Sequence, residues 1–126
     1  RAQVMSPHET IFIAERSRRV VGLLRCAETA TSPVLLPDRY CYVSSVFVAA
    51  EERRTGVLRA LMAAAEHWCD ERSLTEMRLH NSSRSHAARA AWDALGFEVV
   101  EEVRRREVPS PPAGAHSQPR AHAELR

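Results

Sequence analysis

Residues 1–9 show no period. Beyond them, apolar positions come in short runs broken by polar turns. Thr10-Ile11-Phe12-Ile13-Ala14-Glu15 reads as a strand, Arg16-Ser17-Arg18-Arg19 as a turn, and Val20 to Ala27 as a second strand. Two such runs across a short turn predict an antiparallel hairpin. Thr29 to Asp38, with Pro33 and Pro37, reads as a surface loop. Tyr40 to Val48 is rich in aromatic and β-branched residues and nearly all apolar or small, the composition of a central strand.

The period then changes. Leu58, Leu61, Met62, Ala65, Trp68 and Cys69 recur at the spacing of one helical face, while Arg59, Glu66, Asp70 and Glu71 lie off it. This predicts a helix to about Arg72 whose stripe packs on the sheet. Leu74 to Leu79 reads as a short strand. Ser82, Ser83 and Ser85 offer N-caps for a second helix. Its buried stripe is Ala88, Ala91, Trp92 and Leu95, and Gly96 is its stop. Phe97 to Val108 reads as extended, one long strand or two. Pro109 to Arg126 has no apolar pattern and is predicted to be a disordered tail, leaving one domain over residues 1–108 with its core at 10–108. The order β-β-β-α-β-α-β is an α/β fold. A helix between the third and fourth strands predicts a locally parallel pair in a mixed sheet.

The stretch from Val46 to Leu61 carries the chemistry. It is a buried strand, a charged turn and a helix opening on Arg53-Arg54-Thr55-Gly56. A helix start leaves about four N–H groups without helical partners, and the macrodipole makes that end positive. Such an end suits an anion, phosphate above all. Gly56 lets a ligand approach the backbone, and the two arginines add charge, so the turn is predicted to hold a pyrophosphate. Glu51 and Glu52, in the same turn, read as solvated surface.

Composition narrows the classes. The chain has 126 residues and a formal net charge of +2, without the basic field of a nucleic-acid binder. Its 18 basic residues are all arginine. Cys26, Cys41 and Cys69 are far apart and show no Cys-x-x-Cys or zinc-finger spacing, which predicts reduced, buried thiols in a cytoplasmic protein and no metal site. No apolar run approaches the roughly 18 to 20 residues of a membrane span, and no signal peptide is visible. The chain begins at Arg1 rather than Met, as a piece of something longer would.

Arg53-Arg54-Thr55-Gly56-Val57-Leu58, preceded by Val46-Phe47-Val48, resembles the Arg/Gln-x-x-Gly-x-Gly/Ala loop of the GNAT superfamily of N-acetyltransferases. Ser85 to Phe97 resembles that family's Asn-x-x-Ala-x-x-x-Tyr-x-x-x-Gly-Phe. The resemblance covers about residues 10–108. It implies acetyl-CoA as cosubstrate, with pantetheine along Val46, Phe47 and Val48 and pyrophosphate on the segment Arg53, Arg54, Thr55, Gly56, Val57, Leu58 and Arg59. Ser85 and Trp92 would also face the donor. It implies direct attack of an amine on the thioester. The acceptor, a small molecule or peptide, is unidentified.

The chain departs from that pattern in several places. Leu58 replaces Gly or Ala, though helical geometry can turn it to the core. Ser85 replaces Asn. Trp92 replaces the tyrosine that protonates the leaving thiolate, and an indole N–H is no acid near neutral pH. No carboxylate lies in Tyr42-Val43-Ser44-Ser45. The candidate base is therefore His80 at the end of the fourth strand, with Tyr42 as a proton relay. His86 is expected to face solvent, and His8, His116 and His122 to lie in mobile segments. The family's N-terminal strand and the one or two helices that wall the acceptor pocket have no counterpart, leaving an open strand edge that makes a homodimer an expectation. The alternative function is a CoA-binding GNAT-like regulatory or partner module of weak turnover.

Overall fold

The computed structural model describes residues 2–6, 8–31, 38–82 and 84–113. Five strands form one sheet in sequence order: β1 (Ala2–Ser6), β2 (Glu9–Arg16), β3 (Arg19–Ala30), β4 (Arg39–Val48) and β5 (Met77–Leu79). The first four run antiparallel, and β5 joins β4 in parallel. Helix α1 (Val57–Glu71) makes the crossover between that parallel pair, and α2 (His86–Ala94) follows β5.

The β2–β3 hairpin closes with Arg16 opposite Arg19. Ser17 and Arg18 both take positive φ, 54° and 64°, the conformation of the tight turn whose twist matches antiparallel strands. Inward residues of β2 and β3, Thr10, Phe12, Leu24 and Cys26, alternate with outward ones. The predicted helical stripe of α1 covers that inner face: Leu61, Met62, Ala65, Trp68 and Cys69 are all buried. Gly22 permits the close approach. A Cβ there would stand 2.6 Å from Val57 Cγ1 and 3.1 Å from Leu61 Cδ1, so the helix start rests directly on the β3 backbone. Below the core, the Glu28 carboxylate is 5% exposed and fully engaged, with His8 Nδ1 at 2.9 Å and Arg39 Nη2 at 2.8 Å. His8, expected in a mobile segment, is thereby pinned.

Both helices end the same way. Ser73 (φ 57°) follows α1, Ser73 N–H donates to the Asp70 carbonyl, and Leu74 N–H donates to the Cys69 carbonyl. Gly96 (φ 88°) follows α2, Gly96 N–H donates to Asp93, and Phe97 N–H donates to Trp92. This left-handed stop satisfies the last carbonyls and brings C″ against C3. In α2 that contact is the Trp92–Phe97 ring pair, edge-on with centroids 5.5 Å apart.

Three readings of the pattern are corrected. Residues 2–6, where no period is visible, form β1 against the β2 edge predicted to stand open, with Gln3 opposite Ile11 and Val4 opposite Thr10. Five residues are too few to display a period, and the ladder comes from β2. No helix separates β1 from β2 among the described residues. The strand predicted from Leu74 starts only at Met77, because Leu74 is drawn into the core by the helix stop. Residues 98–108, predicted as strand, pair with nothing and are exposed throughout. Their valines fall on both parities, 99 and 103 against 100 and 108, so neither face offers apolar area to bury. Most of the predicted tail, with His116 and His122, lies outside the described residues.

All three cysteines are free and buried within one core cluster. Contact with the Cys26 thiol, then burial, pushes the Cys41 thiol up to about 12 from 9.0. Contact with Cys41 and burial raise Cys69 as well. Unfolding exposes thiols that ionise near their ordinary value, while the folded state keeps its protons. The thiols' contribution to stability is therefore complete below pH 9.0 and falls as pH rises toward 12. Denaturant midpoints measured from pH 7 upward are expected to drop above pH 9. An identical drop in Cys41→Ala would remove the thiols as its cause. Separately, Gly22→Ala is expected to cost about 1–3 kcal/mol, since two core side chains must retreat. An unchanged midpoint would show that α1 does not need this contact.

Candidate functional site

Strand β4 is paired on both sides over only three residues: Cys41 with Met77, Tyr42 with Arg78 and Val43 with Leu79. Beyond Val43 it keeps β3 on one side and has no partner on the other. The separation coincides with a bulge. The β3–β4 register steps from Cys26–Val43 to Arg25–Ser45, leaving Ser44 unmatched. A bulge bends its strand and shifts the alternation by one. Cys41 and Val43 face the core before it, Val46 and Val48 after it. Tyr42, Ser45 and Phe47 are thereby turned to the face opposite α1, where Phe47 is 54% exposed.

A cleft of about 340 Å³ opens where the strands part. It is lined by β4 from Val43 to Val46, by Leu79, His80, Asn81 and Ser82 beyond β5, and by Ala88, Ala91 and Trp92 of α2. A larger groove, about 630 Å³, runs between β2 and α1 and shares only the helix start, Thr55 to Val57, with the turn. It contains none of Tyr42, Val46, Phe47, Val48 or His80. Size favours the groove, but the unpaired backbone of β4 and the His80 imidazole meet in the smaller cleft, which is therefore the candidate site.

The turn after β4 sorts its charges. Ala50–Glu52 form a single 3₁₀ turn. Glu51 is tied to Arg19 at 2.9 Å and Glu52 to Arg16 Nε at 3.0 Å, so the β2–β3 hairpin draws both acids aside. Thr55 Oγ1 donates back to the Glu52 carbonyl. Arg53, Arg54 and Arg59 are exposed and join no ion pair with any described residue. Arg54 (φ 64°) and Gly56 (φ 90°) are both left-handed. Gly56 is the N-cap of α1, which has neither a side-chain cap nor an acidic residue in its first turn. The first-turn amides are thus left to an outside acceptor, beside uncompensated arginines. Space stands open for one, since a Cβ on Gly56 would meet nothing within 4 Å. Leu58 packs against the core and leaves the turn free.

His80 lines the cleft, and Tyr42, distant in sequence and outside the lining, meets it from β4. Tyr42 Oη lies 2.7 Å from His80 Nδ1, and the rings stack obliquely. Their separation of 38 residues hides the pair from local pattern. The signal is register: Tyr42 stands opposite Arg78, two residues before His80. Ser85 caps α2, accepting from Ala88 N–H at 3.3 Å, and does not line the cleft. Trp92 does line it. His86 opens α2 and is exposed. Two features escape sequence reasoning altogether. Gly22 reads as an ordinary strand glycine, and nothing in Ser44-Ser45 marks which serine bulges. Among the described residues no group of acids, cysteines and histidines has metal-site geometry, and no helix is long and apolar enough to cross a membrane.

The sequence profile of the acetyltransferase (GNAT) family matches residues 1–97. N-acetyltransferase family 8 member 3 of Rattus norvegicus is 26% identical over 102 residues, 81% of this chain and 44% of its own length. Aminoglycoside N(6')-acetyltransferase type 1 of Klebsiella aerogenes is 37% identical over 70 residues, 51% of this chain and 46% of its own. The chain thus spans less than half the length of these curated relatives. Among solved structures, aminoglycoside N-acetyltransferase AAC(6')-Iy in complex with CoA superposes with a TM-score of 0.73 at 23% identity, over 83% of this chain and 79% of that one. At that identity the likeness is one of fold. With the profile running from β1 through the Gly96-Phe97 stop, and so across the parted strands and the glycine-capped helix, the chain belongs to the acetyltransferase (GNAT) family.

Proposed function

We propose that this chain binds acetyl-CoA in the cleft between β4 and β5 and transfers the acetyl group to an amine. The observation that carries the reading is the loss of strand pairing after Val43, with the glycine cap of an arginine-flanked helix eight residues beyond the strand's end. Unpaired backbone at Val46, Phe47 and Val48 suits the amide-bearing pantetheine arm, as a strand edge suits any extended partner. The amides from Gly56 to Arg59, with Arg53 and Arg54, suit the pyrophosphate. The relatives' names support the same chemistry, two of them for aminoglycoside acceptors.

In this reading a neutral amine attacks the thioester carbonyl from the face that carries Tyr42, Ser45 and Phe47. A C–N bond forms, the carbonyl oxygen takes up negative charge, and backbone N–H groups of the β4 edge stabilise it. The nitrogen then gives up a proton and the C–S bond breaks. His80 and Tyr42 serve both ends of this transfer. When His80 Nδ1–H donates to the phenol oxygen, Nε2 is left as a free acceptor for the amine's proton. The Tyr42 hydroxyl keeps its own proton to direct at the departing thiolate, the role that the Trp92 indole does not fill. Tyr42 also holds the imidazole in orientation.

Two measurements test these parts separately. Calorimetry is expected to show coenzyme A binding more tightly than pantetheine, with the gap reduced on the order of tenfold in Arg53→Ala/Arg54→Ala, as two charge-assisted contacts would give. Equal affinity of the two ligands for the folded wild-type chain would refute the pyrophosphate site. In turnover with an amine panel, His80→Gln is expected to lower kcat by roughly 10²-fold or more with KM for acetyl-CoA unchanged. Tyr42→Phe is expected to lower kcat less. Full kcat in both variants would remove the pair from the proton path. Tight donor binding with no acetyl transfer to any amine would favour the regulatory CoA-binding module instead.

A further inference from the structure

Ser45 lines the cleft and stands in the β3–β4 ladder directly opposite Arg25. Leu24 and Cys26, the chain neighbours of Arg25, are fully buried under α1, so Arg25 points to the other face of the sheet, with Ser45. Side chains directly opposite in a ladder start about 5 Å apart at Cβ. A guanidinium thus begins one strand spacing from the cleft rim, on a side chain 39% exposed. Glu9 takes a single contact from Arg25 Nη2, at 3.3 Å. A guanidinium carries five N–H donors in a planar fork. Those that Glu9 leaves have no acceptor among the described residues, and the ladder neighbour of Arg25 on β2 is the apolar Ile11.

The rest of the rim differs in kind on each side of Ser45. Phe47, two positions on, is 54% exposed and stands opposite the half-buried Leu23. Neither belongs to the buried core. In the other direction along β4 lies Tyr42, bonded to His80 at 2.7 Å. A cation, an apolar pair and an imidazole therefore surround one point on the cleft rim.

Resting on the acetyl transfer proposed above, we propose that the acceptor is a free α-amino acid with a large apolar side chain. Its α-carbon sits over Ser45. The amine enters the cleft beside His80, the carboxylate accepts from the Arg25 fork, and the side chain lies on Phe47 and Leu23. A carboxylate takes two parallel N–H groups from one guanidinium, a match in shape as well as charge. The bond chemistry is unchanged: the neutral amine forms the N–C bond, the C–S bond breaks, coenzyme A leaves as thiolate, and the nitrogen's proton goes to His80.

Other amines fit less of the rim. A polycation meets Arg25 and finds no carboxylate lining the cleft, while Glu9 is shared with Arg25 and Glu76 with Arg78. An arylalkyl amine or a peptide N-terminus has no carboxylate on the α-carbon. Glycine leaves Phe47 uncovered. Three unlike contacts around one carbon also fix its hand, because exchanging two substituents sets the carboxylate on Phe47 or the apolar group on Arg25.

Thiol release with acetyl-CoA tests this across phenylalanine, phenethylamine, alanine and neamine. In the wild-type chain, kcat/KM for one enantiomer of phenylalanine is expected to exceed that for the other three acceptors on the order of tenfold or more, the worth of a charge-assisted contact or a buried ring. Arg25→Gln is expected to bring phenylalanine and phenethylamine level by raising KM for phenylalanine. Phe47→Ala is expected to bring phenylalanine toward alanine and to keep its lead over phenethylamine. Each readout is a ratio within one variant, so a general loss of folding or donor binding cancels. Preference for neamine or phenethylamine, equal rates for the two enantiomers, or a phenylalanine lead that survives Arg25→Gln would each overturn the proposal while acetyl transfer stands. Coenzyme A binding without transfer to any of the four amines would overturn acetyl transfer and this proposal with it.

Discussion

Strand β4 is asked to do two incompatible things. It must be central enough to hold the sheet together, and one edge of it must be left open. The structure resolves this along the strand's length. Cys41 to Val43 are paired on both sides and carry the fold, while Val46 to Val48 are paired on one side. The single extra residue at Ser44 divides the two halves. Without that bulge, alternation would carry Phe47 toward the core and Val46 and Val48 outward. With it, two valines stay with the core while Phe47 and Ser45 join Tyr42 on the opposite face. The burial of the core valines and the gathering of Tyr42, Ser45 and Phe47 on one face both follow from one unmatched serine.

The helix after the strand shows the same exchange of stability for access. An ordinary helix start carries Ser, Thr or Asp as cap and acids in its first turn, each worth some tenths to about 2 kcal/mol. Here the cap is Gly56 and the first turn carries Arg59. Arg54 is held in a left-handed conformation that favours glycine. The hairpin turn then removes the only local acids, through Arg16 and Arg19. Every one of these choices weakens the free helix end, and every one raises its attraction for an anion. Packing offsets the loss: Val57 and Leu61 bear on Gly22 so closely that a methyl group would not fit.

This explains what could be read from the chain. The strand, turn and helix from Val46 to Leu61 are contiguous, and their chemistry is local: a glycine where a cap belongs, arginines where acids belong. The helix stripes and the Gly96 stop are local as well. The bulge at Ser44, the Gly22 contact and the Tyr42–His80 bond are set by register between distant segments, and no window of sequence contains them. Residues 98–108 misled for a related reason. Valine content argued for a strand, but a strand is a pairing, and no strand of the described sheet pairs with this stretch. Glu51 reads as surface and is exposed, while Glu52, read the same way, keeps only 17% of its side chain exposed against Arg16; only the hairpin's position reveals that both are held away from the arginines.

On the proposed function, the same division separates what holds a donor from what chooses an acceptor. The residues proposed to hold the donor sit on the β4–α1 connection, which the core fixes through Gly22 and the buried α1 stripe. The face carrying Tyr42, Ser45 and Phe47 is built from outward positions of β2, β3 and β4, which the core does not constrain. Arg25 stands there opposite Ser45, its charge shared with Glu9 at 3.3 Å, beside the half-buried Leu23 and Ile13. Substitutions on that face alter neither the buried stripe nor the turn. On that proposal strand alternation insulates one function from the other: inward residues of β4 hold the core, and outward residues are free to vary with the amine.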